Sequence, residues 1–145
     1  MHQKNSVIFL TSRADVHRLP PHARVESEHI EWLKEALRRH PASVNPTRVP
    51  SFHRENGFVQ LAKEARVSIE LPLTSLLHLP IGPRARRLYK YRRFLSLCLR
   101  LNAAFVLVSE PQAKEDERSA REWESVAVTF FGLSREQARR VIRIL

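Results

Sequence analysis

The sequence predicts an α/β domain in which parallel strands alternate with outer helices. Three observations carry this expectation. Val7-Ile8-Phe9-Leu10 and Phe105-Val106-Leu107-Val108 are β-branched and aromatic runs of strand length. Val67-Ser68-Ile69-Glu70-Leu71 alternates apolar with polar residues, the period of a strand. Between these runs apolar residues recur at helical spacing over segments of roughly 10 to 20 residues, which suggests β-α-β units.

The elements follow in order. Residues 7–10 read as a buried strand, and Asp15-Val16-His17 as a second short extended piece before Pro20-Pro21 breaks the chain. Residues 27–40 read as a helix. Ser27 is the expected N-cap, and Glu28 and Glu31 suit the positive end of the helix dipole. Ile30, Leu33 and Leu37 share one face, and Pro41 stops the helix. The proline-rich segment 41–50 reads as a loop. A second helix is expected over 54–65, with Phe58, Leu61, Ala62 and Ala65 inward and Gly57 as a weak point. The strand 67–71 ends at Pro72, and 73–79 forms a short helical turn closed by Pro80 and Pro83. The longest helix is expected over 83–102, Pro83 suiting its first turn, with Leu88, Tyr91, Leu95, Cys98 and Leu99 as its core stripe. After the strand 105–108 comes a charged loop, 110–117. Helices over 118–131 and 134–144 finish the chain, with Gly132 as C-cap of the first and Ser134 as N-cap of the second.

The chain has 145 residues and a formal charge of +10, and its length suits one domain spanning 1–145. Its basic residues are 20 Arg and 5 Lys. The planar guanidinium fork suits phosphate, although codon bias also enriches Arg. Residues 73–145 hold 14 basic against 7 acidic side chains, a net of +7, while residues 1–72 carry +3. Such asymmetry marks a face for an anionic partner. The N-terminus shows no signal peptide, and no stretch approaches the roughly 18 apolar residues of a membrane helix, so a cytoplasmic protein without a membrane partner is expected. The single cysteine, Cys98, excludes a disulfide framework and a cysteine zinc site.

The densest functional signal is the decapeptide Arg84-Ala85-Arg86-Arg87-Leu88-Tyr89-Lys90-Tyr91-Arg92-Arg93. Arg86, Lys90 and Arg93 share one helix face, and Arg92 lies nearby. A basic helix stripe tracks phosphates and releases counterions, and interleaved tyrosines can stack on unpaired bases. A solvated helix face is the alternative, but such faces normally mix signs, and no acid lies between Glu70 and Glu110. Arg118 and Arg121 follow as a second candidate pair at a strand–loop–helix junction, where α/β sheets usually bind ligands. The seven histidines (His2, His17, His22, His29, His40, His53 and His78) show no metal-ligand spacing, and no metal site is expected. Glu70 has two readings, an ion pair with an arginine or an acid/base group at the end of a barrel strand. Ser109 lacks a G-x-S-x-G context. With three glycines the chain has no phosphate-cradling loop.

Four ordered segments resemble the ribonuclease P protein component 3 family of archaeal and eukaryotic RNase P. They are Phe58 to Ala65 leading into Val67-Ser68-Ile69-Glu70-Leu71; Leu73 to Leu77; the arginine-rich helix leading into Phe105-Val106-Leu107-Val108-Ser109; and Arg118-Ser119-Ala120-Arg121-Glu122 with Gly132-Leu133-Ser134-Arg135-Glu136-Gln137-Ala138. The resemblance is clearest over residues 58–142. It implies a TIM-like barrel related to polymerase-and-histidinol-phosphatase (PHP-like) domains, without that superfamily's metal chemistry. The chain is short for the family and its first fifty residues match poorly. The expected fold is therefore a shortened or incomplete barrel with parallel strands and outer helices, lacking its first strands. The strand–loop Ser109-Glu110-Pro111-Gln112-Ala113 departs from the family pattern.

The resemblance implies a protein subunit of ribonuclease P, the endoribonuclease that removes the 5′ leader of precursor tRNA. The implied active site is in the RNA, so no catalytic residue is assigned here. Implied partners are the RNase P RNA, precursor tRNA and another small RNase P protein subunit in a hetero-oligomer. The protein is expected to bind no cofactor, and Mg²⁺ is expected with the RNA subunit. Arg84, Arg86, Arg87, Lys90, Arg92, Arg93, Arg118 and Arg121 are the expected RNA-binding residues. Two alternatives stay open: a basic module for another RNA, such as ribosomal RNA, and a barrel enzyme using Glu70.

Overall fold

The computed structural model describes residues 7–145. The N-terminal residues read above, including His2, lie outside this range. Six strands form one sheet: β1 Val7–Leu10, β2 Arg24–Ser27, β3 Ser43–Asn45, β4 Ser68–Pro72, β5 Phe105–Ser109 and β6 Ile142–Ile144. The helices are α1 Arg13–His17, α2 Ile30–Leu37, α3 Asn56–Ala65, α4 Ile81–Leu101, α5 Ala120–Phe131 and α6 Arg135–Val141. Short 3₁₀ turns occur at Phe52–Arg54, Thr74–His78 and Lys114–Asp116. The strands are all parallel and lie in chain order, β1 through β6. This is the topology of successive barrel units. Among the described residues β1 pairs only with β2 and β6 only with β5, so the sheet is open.

Each strand buries one face under helices. Val25, Val44, Ile69, Leu71 and Leu107 point to that side and join Leu33, Leu37, Phe58, Phe94 and Leu95 in one core. The alternate residues line the concave side. They include Arg24 and Glu26, Ser43 and Asn45, Glu70, and Val106 and Val108, which the register places side by side. A closed barrel fills its interior with layers of apolar side chains. Here the concave side is largely polar and opens to a cavity of about 530 Å³.

This arrangement corrects several sequence expectations. The first fifty residues hold more of the sheet than expected: beside the expected strand at 7–10 and helix within 27–40 they supply β2, β3 and α1. Residues 15–17 are helical, because Ser12 and Asp15 form a capping box: the Asp15 amide donates to Ser12 Oγ (3.4 Å), and the Ser12 amide donates to Asp15 Oδ2 (3.1 Å). Ser27 ends β2 instead of capping α2. Its hydroxyl donates to the Leu10 carbonyl and accepts from the His29 amide, which ties β1 to the start of α2. The expected loop 41–50 contains β3, and the expected last helix ends at Val141 and becomes β6. The core stripe of α4 is rotated: Tyr91, Phe94, Leu95, Leu97 and Cys98 are buried, while Leu99 is exposed. Leu61 of α3 is likewise exposed, with Val59 inward. Gly132 and Ser134 cap α5 and α6 as expected, Gly132 at φ 72°.

Candidate nucleic-acid interface

α4 packs its apolar stripe on α3, α5 and the turn at Phe52–Arg54. Tyr91 anchors the inner side. Its hydroxyl donates to the Pro72 carbonyl (2.6 Å), its ring meets Phe52 edge-on, and burial pushes its pKa up to about 12. Of the two tyrosines in the basic run, Tyr91 is therefore unavailable to a ligand. Tyr89 is 57% exposed and stands on the outer face. The Arg93 guanidinium lies 5.9 Å from its ring centroid.

The six cations expected on α4 fall into two groups. Arg84, Arg87 and Lys90 are half-buried at its margin and donate to main-chain carbonyls. Arg84 reaches the carbonyls of Leu76 and Leu77, at 3.0 and 3.1 Å; Arg87 reaches that of Thr47, and Lys90 that of Pro50, at 3.0 Å. These bonds clamp the loops before α3 and α4 to the helix. A carbonyl carries no net charge, so the three positive charges remain uncompensated. Arg86, Arg92 and Arg93 are exposed. Arg92 lies over Gly132, its guanidinium 3.7–3.9 Å from where a β-carbon would sit there. Among the described residues none of the six forms an ion pair with a carboxylate. Arg100 extends the outer stripe, two heptads beyond Arg86, and was missed because the dense run ends at Arg93.

The second expected pair divides. Arg118 donates to the carbonyls of Glu115 and Glu117 (2.9 and 2.8 Å) and lies 3.8 Å from a Glu122 oxygen, so it braces the start of α5. Arg121 is exposed on α5.

The concave side shows the opposite pattern. Arg24 donates to Glu70 through both Nε and Nη2, and to Glu110 at 2.9 Å. The Ser43 hydroxyl donates to Glu70 (2.6 Å). Arg48 pairs with Glu26 at 3.1 Å, and Glu26 accepts from Asn45. The hydrogen bonds to Glu70 raise the Arg24 pKa further, against the opposing effect of burial. Of the two readings of Glu70, the structure supports the ion pair: both its oxygens are engaged by neighbours. Ser109 is likewise engaged, accepting from the Trp123 indole (2.9 Å). Among the described residues no group of three or more His, Cys, Asp or Glu could hold a metal ion. None of the described helices is long and apolar enough to cross a membrane.

Fold and surface together define an α/β protein with an open, six-stranded parallel sheet in chain order and a cationic helix packed beside it. That fold is shared with a chain in a cryo-EM structure of archaeal ribonuclease P with mature tRNA, at a TM-score of 0.77 and 19% sequence identity. The alignment covers 93% of this chain and 62% of that one, so the present chain spans less than two thirds of its neighbour's length. Because 93% of the chain is covered, most of the first fifty residues fall within the shared fold. The likeness agrees with the resemblance read from the sequence. No protein-family model matches the sequence, and no curated protein is significantly similar to it.

Proposed function

We propose that the chain is an RNA-binding protein subunit of a ribonuclease P, assisting a catalytic RNA in removing the 5′ leader of precursor tRNA. The observation that carries this reading is the cationic run of α4: Arg86, Arg92 and Arg93 are exposed, Arg84 and Lys90 are held by carbonyls, and among the described residues no carboxylate pairs with any of them. A phosphate chain laid along that face releases counterions, which makes binding favourable and salt-dependent. The shared fold with a ribonuclease P chain supports the choice among RNAs. In this reading the protein screens repulsion between RNA strands and lowers the Mg²⁺ the RNA needs to fold. A second small protein subunit completes the assembly, and the open edges at β1 and β6 suit such cover.

The test is reconstitution. RNase P RNA is assayed for leader cleavage at low Mg²⁺, with and without the chain and its partner subunit. Cleavage at a Mg²⁺ concentration where the RNA alone is inactive is the expected result. If added protein leaves the Mg²⁺ requirement unchanged while binding other structured RNAs equally well, the chain serves another ribonucleoprotein.

A further inference from the structure

α5 and α6 pack against each other across a three-residue link, made possible by the left-handed Gly132. Between them lies a crevice of about 320 Å³. Arg121 enters it from the first turn of α5, and Arg135 and Arg139, four residues apart on one face of α6, enter from the other side. The hydroxyl-bearing residues Ser125 and Thr129 line the same crevice. The three arginines have no hydrogen-bond or ion-pair partner among the described residues. Glu124 is also present, yet none of them pairs with it.

Three guanidinium groups gathered with one carboxylate that pairs with none of them repel one another, and the crevice keeps a net positive charge. The complement of such a site is an oxyanion with several acceptors. Planar forks grip phosphate oxygens in pairs, and hydroxyls can fill the remaining sites. At the α5–α6 turn Arg92 of α4 lies over Gly132.

We infer that the α5–α6 crevice is a second phosphate site, where Arg121, Arg135 and Arg139 hold a phosphodiester of the same RNA that crosses α4. This deepens the RNA-binding reading and rests on it. The sequence did not single out Arg135 and Arg139, because only the fold brings them to Arg121.

The experiment compares salt titrations of RNA affinity for the full chain, R135Q/R139Q, R135K/R139K and R86Q/R92Q/R93Q, using labelled RNase P RNA. Each lost phosphate contact should lower the slope of log K against log salt by about 0.9 on a duplex, so R135Q/R139Q should lower it by about 1 to 2. The lysine variant should keep the slope and still lose affinity, because it keeps charge without the fork. Should the crevice variant match the parent slope while the α4 variant lowers it, the crevice proposal fails and the RNA reading stands. A flat titration for the parent overturns both. Both α6 arginines are exposed, so unchanged thermal unfolding is expected; R121Q, on the other helix, repeats the test if the α6 variants unfold.

Discussion

The cations of α4 make a quantitative prediction because the structure divides them by what they touch. Arg86, Arg92 and Arg93 are exposed and bond no carbonyl, whereas Arg84 holds the carbonyls of Leu76 and Leu77. Replacing the exposed three with glutamine removes charge without removing a fold contact, except for Arg93's placement beside Tyr89. If each meets one phosphate, the slope of log K against log salt falls by about 2 to 3, at roughly 0.7 to 0.9 per contact. Between about 50 and 200 mM salt, that slope change shrinks the ratio of affinities by about 20- to 40-fold. Arg84→Gln should behave in the opposite way. It leaves two half-buried carbonyls without their donor and lowers stability by about 1–3 kcal/mol, with a slope change of at most about 1. Fluorescence anisotropy with labelled RNA gives the slopes, and thermal unfolding gives the stabilities. The reasoning is refuted if the triple variant keeps the parent slope, or if Arg84→Gln changes the slope as much as the triple variant does.

Three further outcomes are expected. Arg24→Gln leaves the carboxylates of Glu70 and Glu110 facing each other on the concave side, and should cost about 3–5 kcal/mol in denaturant unfolding, as for a broken buried pair; a loss under 1 kcal/mol would mean that water screens the site. Burial raises the Cys98 thiol to about 12, so alkylation at pH 8 should proceed only in denaturant, and a fast native reaction would contradict its packing. The His53 pKa is lowered, first by burial and then by Lys90, Arg54 and Arg93, and among the described residues its Nδ1 has no hydrogen-bond partner. Its folded pKa lies below the ordinary 6.5, so the unfolded chain takes the proton first. Stability should be full above about pH 6.5 and fall as pH drops below it, and His53→Gln should flatten that fall.

α2 to α6 and the strands β1, β4 and β5 were legible because each satisfies its pattern locally, whereas α1 reads as an extended piece. α5 illustrates this: Gly132 supplies the left-handed end as expected, and the capping box of Ser119 and Glu122 sets its start at Ala120 instead of 118. β2, β3 and β6 were hidden for a shared reason. In a closed parallel barrel both strand faces are apolar, and the sequence shows a hydrophobic run. Here Arg24-Val25-Glu26-Ser27 and Ser43-Val44-Asn45 carry one apolar residue each, because their other face lines an open groove with Arg24, Glu26 and Asn45 in its wall. Each is also three or four residues long, too short for alternation to rise above a loop. The α4 stripe was legible as charge but not as availability. Helical spacing places Tyr91 on the inward stripe, where Phe52 and the Pro72 carbonyl hold it; which cations bond carbonyls depends on Thr47, Pro50, Leu76 and Leu77, and no local pattern shows it.

The two sides of the sheet treat arginine differently, and the contrast is the physical basis of the proposed interface. On the concave side Arg24 and Arg48 each face a carboxylate, and Arg87 of α4 lines the same cavity while bonding the Thr47 carbonyl. Elsewhere on α4 the cations face solvent or uncharged carbonyls, so their field extends from the surface. The long-range attraction of a polyanion depends on charge that is not neutralised at short range. The same residue type thus serves two ends in one chain. Paired inside, arginine joins β2 to β4 and β5 in a sheet with too few apolar residues for a filled lumen. Unpaired outside, it presents forks to phosphate. The ion pairs of the concave side stand beside its cavity of about 530 Å³, whereas the exposed cations of α4 pair with no carboxylate among the described residues.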